Sequence, residues 1–278
     1  MPYQYGYVDA FLDGIWNNGA NNLTPTSSLQ NFRINTPHLS ISNKQDVKWA
    51  VLAAFSTIFK SLLSRGINDG ILLAQLDRNG AFDTWSDHIQ NYMIYGIPSL
   101  YANYNAWHDY LCNDIVLALQ NATQSMIIKK PVHYGMAQKI VNMTVKHLYC
   151  FDDAPQYYQR FNDCHMAIDS KILKWFYDKV VPWYRRLNPN TLSTSLKNNN
   201  FWKNWTSGIK TTPWSKLDAA EYKDIITLIR EYFNVNYPSC NDTILEAEFV
   251  IWYEAKKNME TAKKAKKNNL PYTPQWTY

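Results

Sequence analysis

Two side chains thirty residues apart carry the most chemistry in this sequence, Lys139 and Asp169. A lysine amine is nucleophilic only after losing its proton, and burial among apolar neighbours promotes that loss by penalising the charged form. Lys139 stands near the start of a predicted amphipathic helix over residues 135–149. There Val141, Val145 and Leu148 share one face, and Lys139, Asn142 and Lys146 share another at i, i+3, i+7. Asp169 opens a second predicted helix, 169–184, where a carboxylate can cap free backbone N–H groups and is favoured by the helix dipole. An amine beside a fixed carboxylate can attack an electrophilic sugar carbon and form a Schiff base while the carboxylate manages the protons. Each residue also has a plainer role, Asp169 as a helix cap and Lys139 as a surface lysine with a buried stem.

The flanking residues carry a resemblance. Met166-Ala167-Ile168-Asp169-Ser170-Lys171-Ile172-Leu173 is similar to the turn that bears the catalytic Asp in helix-hairpin-helix DNA glycosylases. The helix from Gln138-Lys139 to Val145-Lys146 resembles the Lys-bearing helix of their archaeal 8-oxoguanine glycosylase branch, which places its Lys at a comparable distance before the Asp. The likeness covers roughly forty of the 278 residues. It implies a glycosylase, with or without lyase action at abasic sites, in which Lys139 and Asp169 are catalytic. DNA is then the partner, and neither metal nor organic cofactor is required. Substrate contacts are expected from His165, Asn142, Lys146 and Trp175. The chain departs from the family pattern in having Ala167 where Pro is usual and in lacking a Leu-Pro-Gly-Val-Gly hairpin. The same segment also resembles uncharacterised bacterial proteins through Ala137-Gln138-Lys139, Asn142-Met143, Val145-Lys146-His147-Leu148, Ile168-Asp169-Ser170 and Trp214-Ser215-Lys216. A different class stays open beside the enzyme: a non-enzymatic helical protein of phage or host-defence type that binds a protein partner, with Asp169 as a structural cap.

Other constellations are weaker. His147, Cys150, Cys164 and His165 have ligand types, but adjacent ligands rarely reach one zinc ion and no CxxC or HxxxH supports them. Trp107-His108-Asp109 lacks a nucleophile elbow. Trp202, Trp205 and Trp214 can stack a flipped base or fill a core.

The elements that must position these groups read as helices. Apolar periodicity predicts them over residues 7–16, 45–64, 68–75, 85–95, 101–121, 135–149, 169–184, 217–233 and 243–265, with Arg65-Gly66 closing the second. Residues 152–163 read as a polar loop and 188–197 as a polar linker. Alternating strands and βαβ units are missing from the pattern, and nine glycines argue against a phosphate-loop or dinucleotide fold. The expected class is all-α, with a helical region over 1–128 and a second over 129–278 that carries the candidate site, joined as one two-lobed unit.

Composition narrows the setting. At 46 % apolar and 18 % charged, the chain is globular rather than disordered. Four irregularly spaced cysteines, no leader-like start and no apolar run of about 18 residues predict a cytoplasmic protein with reduced thiols and no membrane span. The formal charge of +5 divides unevenly, −3 over 1–128 and +8 over 129–278. A basic half suits a polyanionic partner. Six of its lysines (256, 257, 263, 264, 266 and 267) lie on the last predicted helix, which reads equally as a solvated face.

Overall fold

The computed structural model describes residues 5–16, 38–64, 66–124, 131–186, 212–239 and 243–278. The fold is all-α, and the described residues include no strand. Helices α1 (Tyr5–Trp16), α2 (Lys44–Ser56), α3 (Phe59–Leu63), α4 (Asp69–Arg78), α5 (Ala81–Tyr95) and α6 (Tyr104–Ala122) precede a central helix α7 (Tyr134–Tyr149). A 3-10 turn (Ala154–Tyr157) and the one-turn α8 (Tyr158–Phe161) follow, then α9 (Ser170–Trp175), a π segment (Phe176–Val180) and α10 (Val181–Arg186). A 3-10 turn at Trp214–Lys216 leads into α11 (Ala219–Asn236) and α12 (Ile244–Lys267).

The helix starts are set by short polar side chains. Asn43, Asn68 and Asn103 cap α2, α4 and α6 by accepting from the amides of Gln45, Ile71 and Ala106. Asp218 with Glu221, and Thr243 with Glu246, form reciprocal capping boxes on α11 and α12. Three predicted elements differ from those observed. The helix expected over 45–64 breaks after Ser56, where the Thr57 hydroxyl donates to the Ala54 carbonyl at 2.6 Å, and resumes as α3. Its expected stop at Gly66 is present, with φ 81°; Arg65 lies outside the described residues. The helix expected over 169–184 widens into the π segment just before Pro182, which has no N–H to offer the Asp178 carbonyl. The loop expected over 152–163 is largely helical turn. The 188–197 linker, Trp202, Trp205, Cys240 and Lys129-Lys130 lie outside the described residues.

Helix α7 is the organising element. It packs against α2 and α6, against α11, and against the Trp214–Lys216 turn. Fifteen of its sixteen residues are buried, and Met143 is half-buried. The amphipathic helix expected from sequence is therefore a core helix, whose polar residues find partners inside the protein rather than in solvent. The core runs continuously through both halves, from Val8 on α1 to Tyr278. No helix among the described residues is long and apolar enough to cross a membrane.

Candidate active site

The backbone around Asp169 is extended and is held by side chains from two helices. Gln138 of α7 brackets Ile168: its Nε2 donates to the Ile168 carbonyl at 2.8 Å, and its Oε1 accepts from the Ile168 amide at 3.2 Å. One turn on, Asn142 Nδ2 lies 3.2 Å from the Met166 carbonyl, 2.8 Å from the Tyr222 hydroxyl and 3.1 Å from Gln138 Oε1. From α12, Glu248 Oε2 accepts from the Ala167 amide at 2.8 Å. An unpaired backbone group buried here would cost about 1–3 kcal/mol, so these side chains fix the path of residues 166–168.

That path delivers Asp169 to the start of α9. Its Oδ1 accepts from the Lys171 and Ile172 amides at 2.8 and 3.1 Å, which is the cap expected from sequence. Its Oδ2 is 3.9 Å from Lys139 Nζ, an ion-pair distance too long for a hydrogen bond. The two residues retain 9 % and 7 % exposure, so both reach the surface from an otherwise closed setting. Burial lowers the Lys139 pKa from the ordinary lysine value; Asp169 opposes the shift and Lys171 adds to it. Trp214 covers the amine, its ring centroid 4.5 Å from Nζ. The Trp214 turn lies this close because α7 carries Gly135 beneath it: a Cβ at 135 would stand 1.9 Å from the Trp214 carbonyl oxygen, and the Gly135 amide donates to the Leu217 carbonyl at 2.9 Å.

The other residues expected to touch substrate lie deeper. Asn142 is fully buried in the network just described, which includes His108 Nε2 at 3.0 Å from its Oδ1. His165 is 3 % exposed with both ring nitrogens engaged, Nδ1 at 2.8 Å from the Tyr222 hydroxyl and Nε2 at 2.8 Å from Asn105 Oδ1. Lys146 and Glu248 form a 2.8 Å pair, each side chain 1 % exposed, with the Lys146 amine over the Phe11 and Phe249 rings. Trp175 is fully buried against Tyr232 and Phe233, and its indole N–H donates to the Tyr278 carbonyl. Of the six residues singled out from sequence, Lys139 and Asp169 keep the most exposure, 9 % and 7 %. The other four are held in the interior by partners their sequence neighbours do not supply.

Four residues to which the sequence reading gave no part here belong to the same hydrogen-bonded surroundings: Gln138, Tyr222, His108 and Glu248. Glu248 had a signal, being an acid inside the apolar run Phe249-Val250-Ile251 and its preceding turn. Burial raises its carboxyl pKa, against the pull of Lys146. Burial likewise lowers His108 to about 4 and His165 well below the usual imidazole value.

The alternative constellations dissolve. Cys150 and Cys164 turn their thiols to the Lys146 and Arg160 carbonyls, away from any common point with His165. Among the described residues no three His, Cys, Asp or Glu side chains gather as a metal-ligand set. Cys112 lies 3.7 Å from His108, but burial pushes the thiol up and the imidazole down, the reverse of an activated thiolate pair. Asp109 is paired with Lys223 at 2.9 Å.

No protein-family model, no curated protein and no solved structure matches the chain.

Proposed function

We propose that the protein is a DNA glycosylase that removes a damaged or modified base, with Lys139 as nucleophile and Asp169 as its proton partner. The observation that carries this reading is the 3.9 Å approach of the Lys139 amine to the Asp169 carboxylate, with the amine desolvated and both groups at the edge of solvent. The neutral amine bonds to the sugar C1′ as the bond from C1′ to the base breaks, and the base leaves with the electron pair and takes a proton from solvent. Asp169 accepts a proton from the new ammonium nitrogen and returns it to the ring oxygen as that oxygen leaves C1′. The result is an iminium joining Nζ to C1′, from which strand cleavage can follow by β-elimination. The +8 charge of residues 129–278 suits a polyanionic partner.

One observation favours a second reading. Asp169 Oδ1 caps α9 through two amides, and a cap alone would suffice in a non-enzymatic interaction protein. Base release from duplexes bearing single oxidised or alkylated bases separates the two. The glycosylase reading expects release by wild type, loss with Lys139→Gln and at least 100-fold slowing with Asp169→Asn, which still caps. Absence of release across such a lesion panel, or full activity in both variants, would favour the interaction protein.

A further inference from the structure

A cavity of about 700 Å³ opens between α1, α2, α7 and α12, within the size range of small-ligand sites. Neither Lys139 nor Asp169 belongs to its lining. It is reached further along α7, where Met143, Lys146 and His147 follow Lys139 by one and two turns.

The lining is chemically graded. Its buried part holds Asp13 Oδ1, a polar atom with no hydrogen-bond partner on a residue 2 % exposed, and beside it the His147 ring, 3 % exposed. Buried polar atoms of this kind are rare unless a ligand or water satisfies them. Burial lowers His147 to about 4, so at neutral pH it is an uncharged ring that donates or accepts according to tautomer. The half-buried part is aromatic. Lys146 already lies over Phe11 and Phe249, and Lys171 over Trp252, which leaves Tyr7 and Tyr253, meeting edge to face at 5.7 Å, as stacking surfaces. The exposed rim carries Lys256 and Lys257, with Glu260 beside them. These two lysines belong to the basic stretch that the sequence leaves as a solvated face.

A carboxylate oxygen with no donor calls for an N–H, flat aromatic walls call for a planar ring, and paired lysines at the mouth call for an anion. We propose that this cavity binds a nucleobase bearing an exocyclic amine and carrying a phosphate, with the amine at Asp13, the ring against Tyr7 and Tyr253, and the phosphate at Lys256 and Lys257. The phosphate can belong to a free nucleotide or to a nucleic-acid strand. The site is separate from the chemistry of Lys139 and does not depend on it.

Calorimetric titration of the full chain tests this with guanosine 5′-monophosphate, inosine 5′-monophosphate (which lacks the amine), guanosine, and a short oligothymidylate carrying one central guanosine. The guanosine monophosphate is expected to bind one to one, at least tenfold tighter than either inosine monophosphate or guanosine. The exposed double substitution Lys256→Ala, Lys257→Ala is expected to weaken it about tenfold without altering guanosine binding, and Asp13→Asn to erase the preference over the inosine form. Tighter binding of the oligonucleotide, with the same sensitivity to the lysine pair, assigns the phosphate to a strand; weaker binding assigns it to a free nucleotide. Lys139→Gln should leave the affinities for guanosine, guanosine monophosphate and inosine monophosphate unchanged, which separates this site from the proposed excision chemistry. No binding at millimolar nucleotide, equal affinity for the guanosine and inosine forms, or binding indifferent to the lysine pair would overturn the proposal.

Discussion

Gln138 grips the backbone of Ile168 at both its polar atoms, donating to the carbonyl and accepting from the amide, and so sets where the next residue, Asp169, can stand. Gln138 also precedes Lys139, so one turn of α7 carries both the nucleophile candidate and the clamp that brings its partner. Replacing Gln138 with Leu removes both bonds and strands two buried backbone groups. The expected cost is about 2–4 kcal/mol in urea unfolding, by the usual penalty for unpaired buried groups. A loss of base release well beyond the fraction unfolded is expected with it. Full activity in a folded Gln138→Leu protein would show that the clamp does not position Asp169.

Gly135 lets the Trp214 turn approach the Lys139 amine. A methyl group at 135 would meet the Trp214 carbonyl oxygen at 1.9 Å, and backbone cannot yield cheaply there. Gly135→Ala is expected to lift the turn and admit water to the amine. Because desolvation is the main cause of the lowered Lys139 pKa, that pKa should rise back toward 10.5. The midpoint of a pH profile for amine reactivity reports it: below 10.5 in wild type and shifted upward in Gly135→Ala.

Lys139 also links stability to alkaline pH. Its folded pKa lies below the unfolded value, so between the two the unfolded chain binds more protons and stability from this group rises with pH. The buried histidines act in the acid range with the same sign. His108 falls to about 4 from an unfolded value of 6.5, so its contribution is intact above 6.5 and is lost as pH falls toward 4. From this residue alone, unfolding free energy should drop by about 2 kcal/mol between pH 7 and pH 5. His165, 4.6 Å from His108 ring to ring, adds to the loss. Urea midpoints measured at half-unit pH steps are the check, and a flat profile from 7 to 5 would contradict the buried neutral imidazoles.

Lys146 pairs with Glu248 out of reach of solvent, and Glu248 in turn holds the Ala167 amide. Lys146→Met leaves a buried carboxylate without its cation, which costs about 3–5 kcal/mol in comparable pairs. Adding Glu248→Gln, which keeps an acceptor for Ala167, is expected to recover part of that loss. No recovery in the double variant would mean that the pair is not the source of the cost.

The helix class and most helix starts were legible because their signals are local. Asn68, for example, caps from within its own turn, and the apolar stripe of α6 through Trp107, Leu111 and Ile115 needs no distant partner to be read. The break at Thr57 was hidden because apolar spacing continues through Val51, Phe55, Ile58 and Leu62 on both sides of it. The approach of Lys139 to Asp169 was an inference from two helical contexts, and it is what the fold delivers. The depth of α7 was not legible. Asn142 and Lys146 share a polar face in the sequence, yet their partners come from α6, α11 and α12 and from extended backbone, across 24 to 102 residues. No local rule reports such pairings. Trp175 fails the same way, since its indole partner is the Tyr278 carbonyl 103 residues away.

The most direct measurement is borohydride trapping on DNA that carries an abasic or oxidised site, followed by peptide mapping of the adduct. Wild type is expected to form a covalent protein–DNA species mapped to Lys139, with none in Lys139→Gln and a strongly reduced yield in Asp169→Asn. No adduct with wild type, or an equal yield with Lys139→Gln, would contradict a Schiff base at this amine.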